Sequence, residues 1–152
     1  MKKVCFAASS GGHLAEISCL QELCEKYDVF LLTEKNDAEH TDLCDRVYYV
    51  NQINRRERGF LLHFLRLFRE SSRVLKKEDP DCVVTTGALA AVPISILAKL
   101  RHKKLVYIES FARVTGGSLS GKILYHFADK FYVQWPELLE IYPKAEYIGG
   151  IF

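Results

Sequence analysis

Proline and glycine are scarce in this chain, 4 and 9 of 152 residues, which excludes a collagen-like or low-complexity disordered polymer. Cysteine occurs five times (Cys5, Cys19, Cys24, Cys44, Cys82), an odd number without a C-x-x-C pair. That excludes a disulfide-stapled scaffold and the usual zinc spacing, and reads as reduced, buried thiols. There is no run of about 18 apolar residues. The longest candidate, Ala88 to Ala98, is interrupted by Pro93 and Ser95, so no membrane-spanning helix is expected. Met1-Lys2-Lys3-Val4 runs directly into a strand pattern rather than the apolar stretch of a signal peptide. An excess of one charge is missing too: 21 Lys+Arg against 19 Asp+Glu leave a net +2, too neutral for a whole-protein nucleic-acid binder. Neither G-x-G-x-x-G nor a metal-binding Asp-x-Asp appears; Asp79-Pro80-Asp81 precedes a strand rather than following one. No metal and no cofactor are expected.

What is present is ordinary globular composition, 49% hydrophobic and 26% charged, of a length that suits one domain over residues 1–152. Short apolar runs alternate with helical patterns. Strands are expected at Lys3–Ala8, Val29–Thr33, Val47–Val50, Cys82–Thr85, Leu105–Ile108 and Lys130–Val133, several apolar at consecutive positions as in strands buried on both faces. Helices are expected at His13–Lys26, Phe60–Lys77, Leu89–Leu100, Leu119–Phe127 and, briefly, Glu137–Ile141. This alternation predicts an α/β, Rossmann-like, doubly wound parallel sheet.

Such sheets bind ligands beyond the carboxyl ends of the strands, where strand order reverses. With the order 3-2-1-4-5, the loops after strands one, four and five meet there. They are the least ordinary stretches of the sequence. The first, Ser9-Ser10-Gly11-Gly12-His13, can turn tightly and offer helix-start amides to an anion; it is equally a structural turn capped by Ser9 or Ser10. No acid closes the second strand before Thr33-Glu34, which weakens a dinucleotide reading. His13 stands at a helix start, where the dipole favours the neutral imidazole and leaves a base available. The second loop, Thr85-Thr86-Gly87, contributes further amides. The third carries Glu109, Ser110, Arg113, Thr115, Gly116, Gly117 and Ser118. There Glu109 can accept sugar hydroxyls or a proton and Arg113 can grip phosphate, or the two simply pair with each other.

Residues Arg55 to Lys77 hold eight Lys/Arg against Glu57 and Glu70, a local +6. A helical wheel sets Arg66, Arg69, Arg73, Lys76 and Lys77 on one side and Phe60, Leu61, Phe64, Leu65, Leu67, Phe68 and Leu75 on the other. A basic amphipathic helix after Arg55, Arg56 and Arg58 suits an anionic membrane surface. Gly59-Phe60-Leu61-Leu62, apolar on both sides, fits that better than a plain surface helix does. The expected contact comprises Arg55, Arg56, Arg58, Phe60, Leu61, Leu62, Phe64 and Arg66. Nucleic acid is the other use of such a patch, but no recognised motif supports it.

The segment Val106-Tyr107-Ile108-Glu109-Ser110-Phe111-Ala112-Arg113-Val114, with Leu119 to Tyr125, Ala128-Asp129, Val133-Gln134-Trp135-Pro136 and Ser10-Gly11-Gly12-His13, resembles one family over nearly the whole chain. It is the oligosaccharide-biosynthesis family of the membrane-recruiting subunit of the eukaryotic dolichol-linked N-acetylglucosamine transferase, whose bacterial members assist capsule and exopolysaccharide glycosyltransferases. The chain is also similar to the acceptor-binding half of the two-domain peptidoglycan transferase that builds the lipid-linked disaccharide. The resemblance implies the N-terminal, acceptor-side half domain of a GT-B glycosyltransferase, inactive alone. A separate catalytic subunit would supply the nucleotide-sugar-binding domain. The pair would move a hexose onto a polyprenyl-diphosphate-linked sugar in capsular or exopolysaccharide repeat-unit synthesis. On that resemblance the chain is expected to stop at Tyr147 to Phe152, where single-chain relatives would continue, and to do without the N-terminal spanning helix of eukaryotic members. The expected place is therefore cytoplasmic, peripheral on the inner face of the plasma membrane.

By the same resemblance, Ser10, Gly11, Gly12 and His13 would line the cleft near the acceptor diphosphate. Gly87 would border it with Gly116 and Gly117, and Glu109 and Arg113 would face the sugar or the partner, His13 and Glu109 both being candidate bases. Two other readings stay open. One is a non-catalytic scaffold that only recruits a competent enzyme, the other a stand-alone nucleotide-binding enzyme.

Overall fold

In the computed structural model, which describes residues 1–36 and 41–152, the apolar runs become seven strands of one sheet. They are β1 (Lys3–Ala8), β2 (Asp28–Glu34), β3 (Val47–Val50), β4 (Cys82–Gly87), β5 (Lys104–Ile108), β6 (Lys130–Val133) and β7 (Glu146–Tyr147). Their order is β3-β2-β1-β4-β5-β6-β7, and every pairing is parallel. The Rossmann-like, doubly wound class and the 3-2-1-4-5 order are as expected, with the reversal between β1 and β4. The two-residue β7 is too short to leave an apolar signature.

Alternation along the strands divides the core. Cys5, Ala7, Phe30, Leu32 and Val83 face α3 (Phe60–Glu78), α4 (Val92–Leu100) and α5 (Leu119–Leu124). Val4, Phe6, Ala8, Leu31 and Val84 face α1 (Gly12–Ser18) and its follower α2 (Leu23–Lys26). Burial on both sides is why β1 and β2 read as continuous apolar runs.

The helices differ from expectation at their ends. His13–Lys26 is broken in two. Ser18 Oγ donates to the Leu14 carbonyl at 2.7 Å, and the following amides bond three residues back (Leu20 to Ile17, Gln21 to Ser18) rather than four, so side-chain back-bonding tightens and ends α1. The 89–100 segment starts as a 3₁₀ turn, Leu89–Ala91, before α4, whose first turn carries Pro93. Leu119–Phe127 stops at Leu124, and the Glu137–Ile141 helix is a 3₁₀ turn over Pro136–Glu140.

The long helix α3 packs only part of its apolar side. Leu67, Ser71, Val74, Leu75 and Glu78 are buried, while Leu61, Leu62 and Leu65 are 68%, 64% and 57% exposed. The wheel placed Leu61 and Leu65 with the packed residues; they stand instead about a quarter turn or more away from the buried stripe of Leu67, Ser71, Val74 and Glu78, which leaves them uncovered. At the other end Glu78 accepts from Tyr48 Oη (2.6 Å) and Lys3 Nζ (3.1 Å) and faces Arg46 Nε (3.3 Å), tying α3 to β1 and β3. Among the described residues no helix is long and apolar enough to cross a membrane.

Candidate functional site

The carboxyl ends of β1 to β5 open on a cleft of about 510 Å³ at the strand-order reversal, lined by Ser9 and His13, Glu34, Gln52 to Arg55, Glu57, Ala88, Leu89, Arg113 and Ser118 to Ser120. The three loops singled out from the sequence converge here. So does the β3–α3 loop, which was read only as a membrane contact.

His13 Nδ1 lies 2.8 Å from the Thr86 carbonyl, and Thr86 Oγ1 donates to the His13 carbonyl at 2.8 Å. A carbonyl only accepts, so Nδ1 carries the proton and the neutral ring keeps Nε2 free to take another. The reciprocal pair fixes the start of α1 against the end of β4. Neither Ser9 nor Ser10 caps α1: the N-cap is Gly11 at φ 80°, with no side-chain cap bond, and Ser9 Oγ turns to the Ser10 carbonyl instead. Ser10 is half-buried; Gly11 and Gly12 are exposed on the rim beside His13.

Glu109 is not where the sequence reading put it. It is fully buried and does not line the cleft. Its carboxylate accepts from Ser110 N–H (3.0 Å), Ser118 N–H (3.1 Å), Ser118 Oγ (2.8 Å), Tyr107 Oη (3.3 Å) and Tyr142 Oη (2.9 Å). Burial and the neighbouring Glu109 charge push both phenols well above the usual tyrosine range. The Glu109–Arg113 pair weighed from sequence is absent: among the described residues Arg113 has no ion pair, and its exposed side chain lines the cleft. Glu109 is thus the keystone of the β5–α5 loop. The other distinctive motif clamps the same loop from outside, Gln134 Nε2 donating to the Glu109 carbonyl (3.0 Å) and Trp135 Nε1 to the Phe111 carbonyl (2.7 Å).

The glycines divide by the same logic. Gly87 (φ +106°) is buried under the cleft floor, where a Cβ would stand 2.6 Å from Tyr107 Oη. Gly117 backs onto Tyr142 closely enough that a Cβ would overlap it, whereas Gly116 is exposed and open. Gly87 and Gly117 therefore make room for the two tyrosines of the Glu109 network. After Gly87, Ala88 also holds a positive φ of 76°, its amide bonded to Ser120 Oγ at 3.2 Å; such strain clusters at functional sites.

Two acids were missed. Glu34 ends β2, is 7% exposed and lines the cleft. Burial pushes its carboxyl up, against the Ile53 and Ser10 amides and nearby His13. Its signal was present, a lone acid directly after an apolar strand. Glu16, on α1, accepts from Phe111 N–H (2.6 Å) and Ser110 Oγ (3.1 Å), and burial raises it likewise; spacing of three from His13 was its only sign. Among the described residues no three His, Cys, Asp or Glu converge as a metal site.

Past Arg55 and Glu57, which line the cleft, the chain runs through Arg58 and Phe60 into the exposed Leu61, Leu62 and Leu65, with Arg66 next along the helix. Phe60 stacks on Phe64 (5.6 Å), which meets Phe68 edge-on. One segment therefore forms both a side of the cleft and an exposed apolar, arginine-bordered patch.

Residues 58–151 match the family described as oligosaccharide biosynthesis protein Alg14 like. The chain is 35% identical to the UDP-N-acetylglucosamine transferase subunit ALG14 of Rattus norvegicus and 34% to that of Homo sapiens, in each case over 95% of this chain and 80% of the relative. Among solved structures it superposes on Acinetobacter baumannii MurG (TM-score 0.75, 18% identity, 90% of this chain, 42% of MurG). It also superposes on Methanocaldococcus jannaschii UDP-GlcNAc 2-epimerase (TM-score 0.75, 18% identity, 97% and 46%). At such identity these two show the fold alone, and the chain spans less than half of either.

Proposed function

The chain belongs to the Alg14-like family of oligosaccharide-biosynthesis proteins, and from that premise we propose that it is the acceptor-binding, membrane-associating subunit of a two-component glycosyltransferase. The observation that carries this reading is the shared segment: the β3–α3 loop walls the cleft with Gln52 to Arg55 and runs on into the exposed Leu61, Leu62 and Leu65. A bilayer that receives the patch stands beside the cleft, so a polyprenyl tail stays in lipid while its diphosphate and sugar enter the site. Arg55 and Arg113, without ion pairs among the described residues, are the cations for the diphosphate and for the charge on the departing nucleotide. His13 Nε2 is the base for the acceptor hydroxyl. Of the two candidate bases, His13 and Glu109, this reading takes His13, since Glu109 is sealed under the loop.

The nucleotide-sugar domain comes from a separate catalytic subunit that closes on this edge, and the donor is UDP-N-acetylglucosamine, as suits relatives that are UDP-N-acetylglucosamine transferase subunits. The product is a polyprenyl-diphosphate-linked oligosaccharide, in the bacterial setting a capsule or exopolysaccharide repeat unit. The working position is peripheral, on the cytoplasmic face of the plasma membrane. The test is transfer from UDP-N-acetylglucosamine to a polyprenyl-diphosphate-linked sugar by the catalytic subunit, with and without this chain. Stimulation with co-purification is expected; neither one, and the reading fails.

A further inference from the structure

Three carboxylates are buried at the ligand edge, and their partners differ. Glu109 is saturated by five donors. Glu16 holds two donors on Oε1 beneath the β5–α5 loop, and its Oε2, buried without a partner among the described residues, lies off the cleft. Glu34 is more than nine-tenths buried yet lines the cleft, and among the described residues it faces two backbone amides, those of Ser10 and Ile53, the second a long contact at 3.4 Å. A carboxylate has about four acceptor sites, and the place of Glu34 on the cleft wall opens the remainder to the donors of a bound ligand. Adjacent hydroxyls of a sugar ring supply two donors to one carboxylate, as ribose does to the acid that follows the second strand of dinucleotide-binding sheets.

Position along the edge gives the ligand its direction. Arg55, next to the membrane patch, lies beyond β3; Glu34 ends β2; His13 follows β1. The span from β3 to β1 is two strand intervals, roughly 10 Å. A lipid tail on the patch, a diphosphate at Arg55, a sugar at Glu34 and a reacting hydroxyl at His13 fall in that order. Gln52 and Asn54 flank Glu34, and the Arg56 amide donates to Asn54 Oδ1 at 3.0 Å, fixing that side chain.

We propose that Glu34 is the specificity-determining contact for the acceptor sugar, accepting two hydroxyls of the pyranose carried on the lipid diphosphate, with Gln52 and Asn54 completing the subsite. This rests on the acceptor-binding reading above and adds to it the residue that recognises the sugar. Titration calorimetry of the chain in detergent micelles with farnesyl diphosphate, and with farnesyl diphosphate bearing N-acetylglucosamine, tests it. The unsubstituted chain is expected to bind the sugar-bearing probe about tenfold more tightly, 1.4 kcal/mol. Glu34→Gln, which keeps an oxygen for the Ser10 and Ile53 amides, and Glu34→Ala should both cut that preference below about threefold while leaving farnesyl diphosphate affinity within about twofold. Equal weakening of both probes by Glu34→Gln overturns the proposal and makes Glu34 a loop clamp. So does a sugar preference that survives both substitutions. Glu34-dependent binding of UDP-N-acetylglucosamine by the chain alone would assign the carboxylate to a donor instead. If the unsubstituted chain binds neither probe, the acceptor-binding reading itself is lost and the proposal with it.

Discussion

Replacing Glu109 by alanine should damage the fold before it damages any chemistry. The substitution strips the acceptor from two buried backbone amides, Ser110 and Ser118, and from the Tyr142 hydroxyl, none of which gains a new partner inside the network. Ser118 Oγ and Tyr107 Oη keep each other and Ser120 Oγ at 3.1–3.3 Å, so their loss is smaller. Three orphaned donors at about 1–3 kcal/mol each, reduced by water entering the vacated space, give roughly 3–5 kcal/mol. For a domain of this size that lowers Tm by roughly 6–20 °C. Glu109→Gln keeps one oxygen but turns an NH₂ toward a donor, and should fall between. Thermal melts followed by circular dichroism read all three proteins. A Glu109→Ala protein melting within about 2 °C of the original would refute the saturated-keystone description, since not even one orphaned amide would then be felt.

Two further outcomes follow from other parts of the molecule. Leu61→Glu with Leu62→Glu removes the most exposed apolar residues of α3; losing about 2 kcal/mol of burial should cut flotation with anionic vesicles roughly 30-fold without loss of helicity, and unchanged flotation would dismiss the patch. Burial raises the Glu78 carboxyl, but the Tyr48 hydroxyl, Lys3 and Arg46 together hold it below 4.5. A depressed carboxylate stabilises above its unfolded value and loses that contribution as pH falls through the folded one. The gap in urea midpoint between the original protein and Glu78→Gln, open at pH 7, should therefore close as the pH is taken below 4.5; a gap that widens in acid would contradict the linkage.

The sheet was legible because strands buried on both faces leave little room for polar residues: Val4 to Ala8 and Val29 to Leu32 read as strands with no further help. The convergence of the β1, β4 and β5 loops was legible too, since strand order alone dictates it. What escaped is what tertiary packing decides. Nothing near Glu109 in sequence announces that Tyr142, 33 residues on, closes over it, so a carboxylate at a ligand edge looked available. Glu34 looked like a strand end because its burial is made by the Ser10 and Ile53 loops. The helical wheel of α3 showed a broad apolar side without showing that packing covers only the stripe through Leu67, Ser71, Val74 and Glu78.

The cleft as half of an active site, rather than part of a scaffold, is tested most directly by the turnover of the two-subunit complex carrying His13→Ala, measured with acceptor at saturation on vesicles. The geometry predicts kcat lowered by about 10²–10⁴, the usual contribution of a general base, with vesicle binding and co-purification of the catalytic subunit retained. Turnover equal to that of the unsubstituted complex would mean that the chain only recruits a competent enzyme to the membrane.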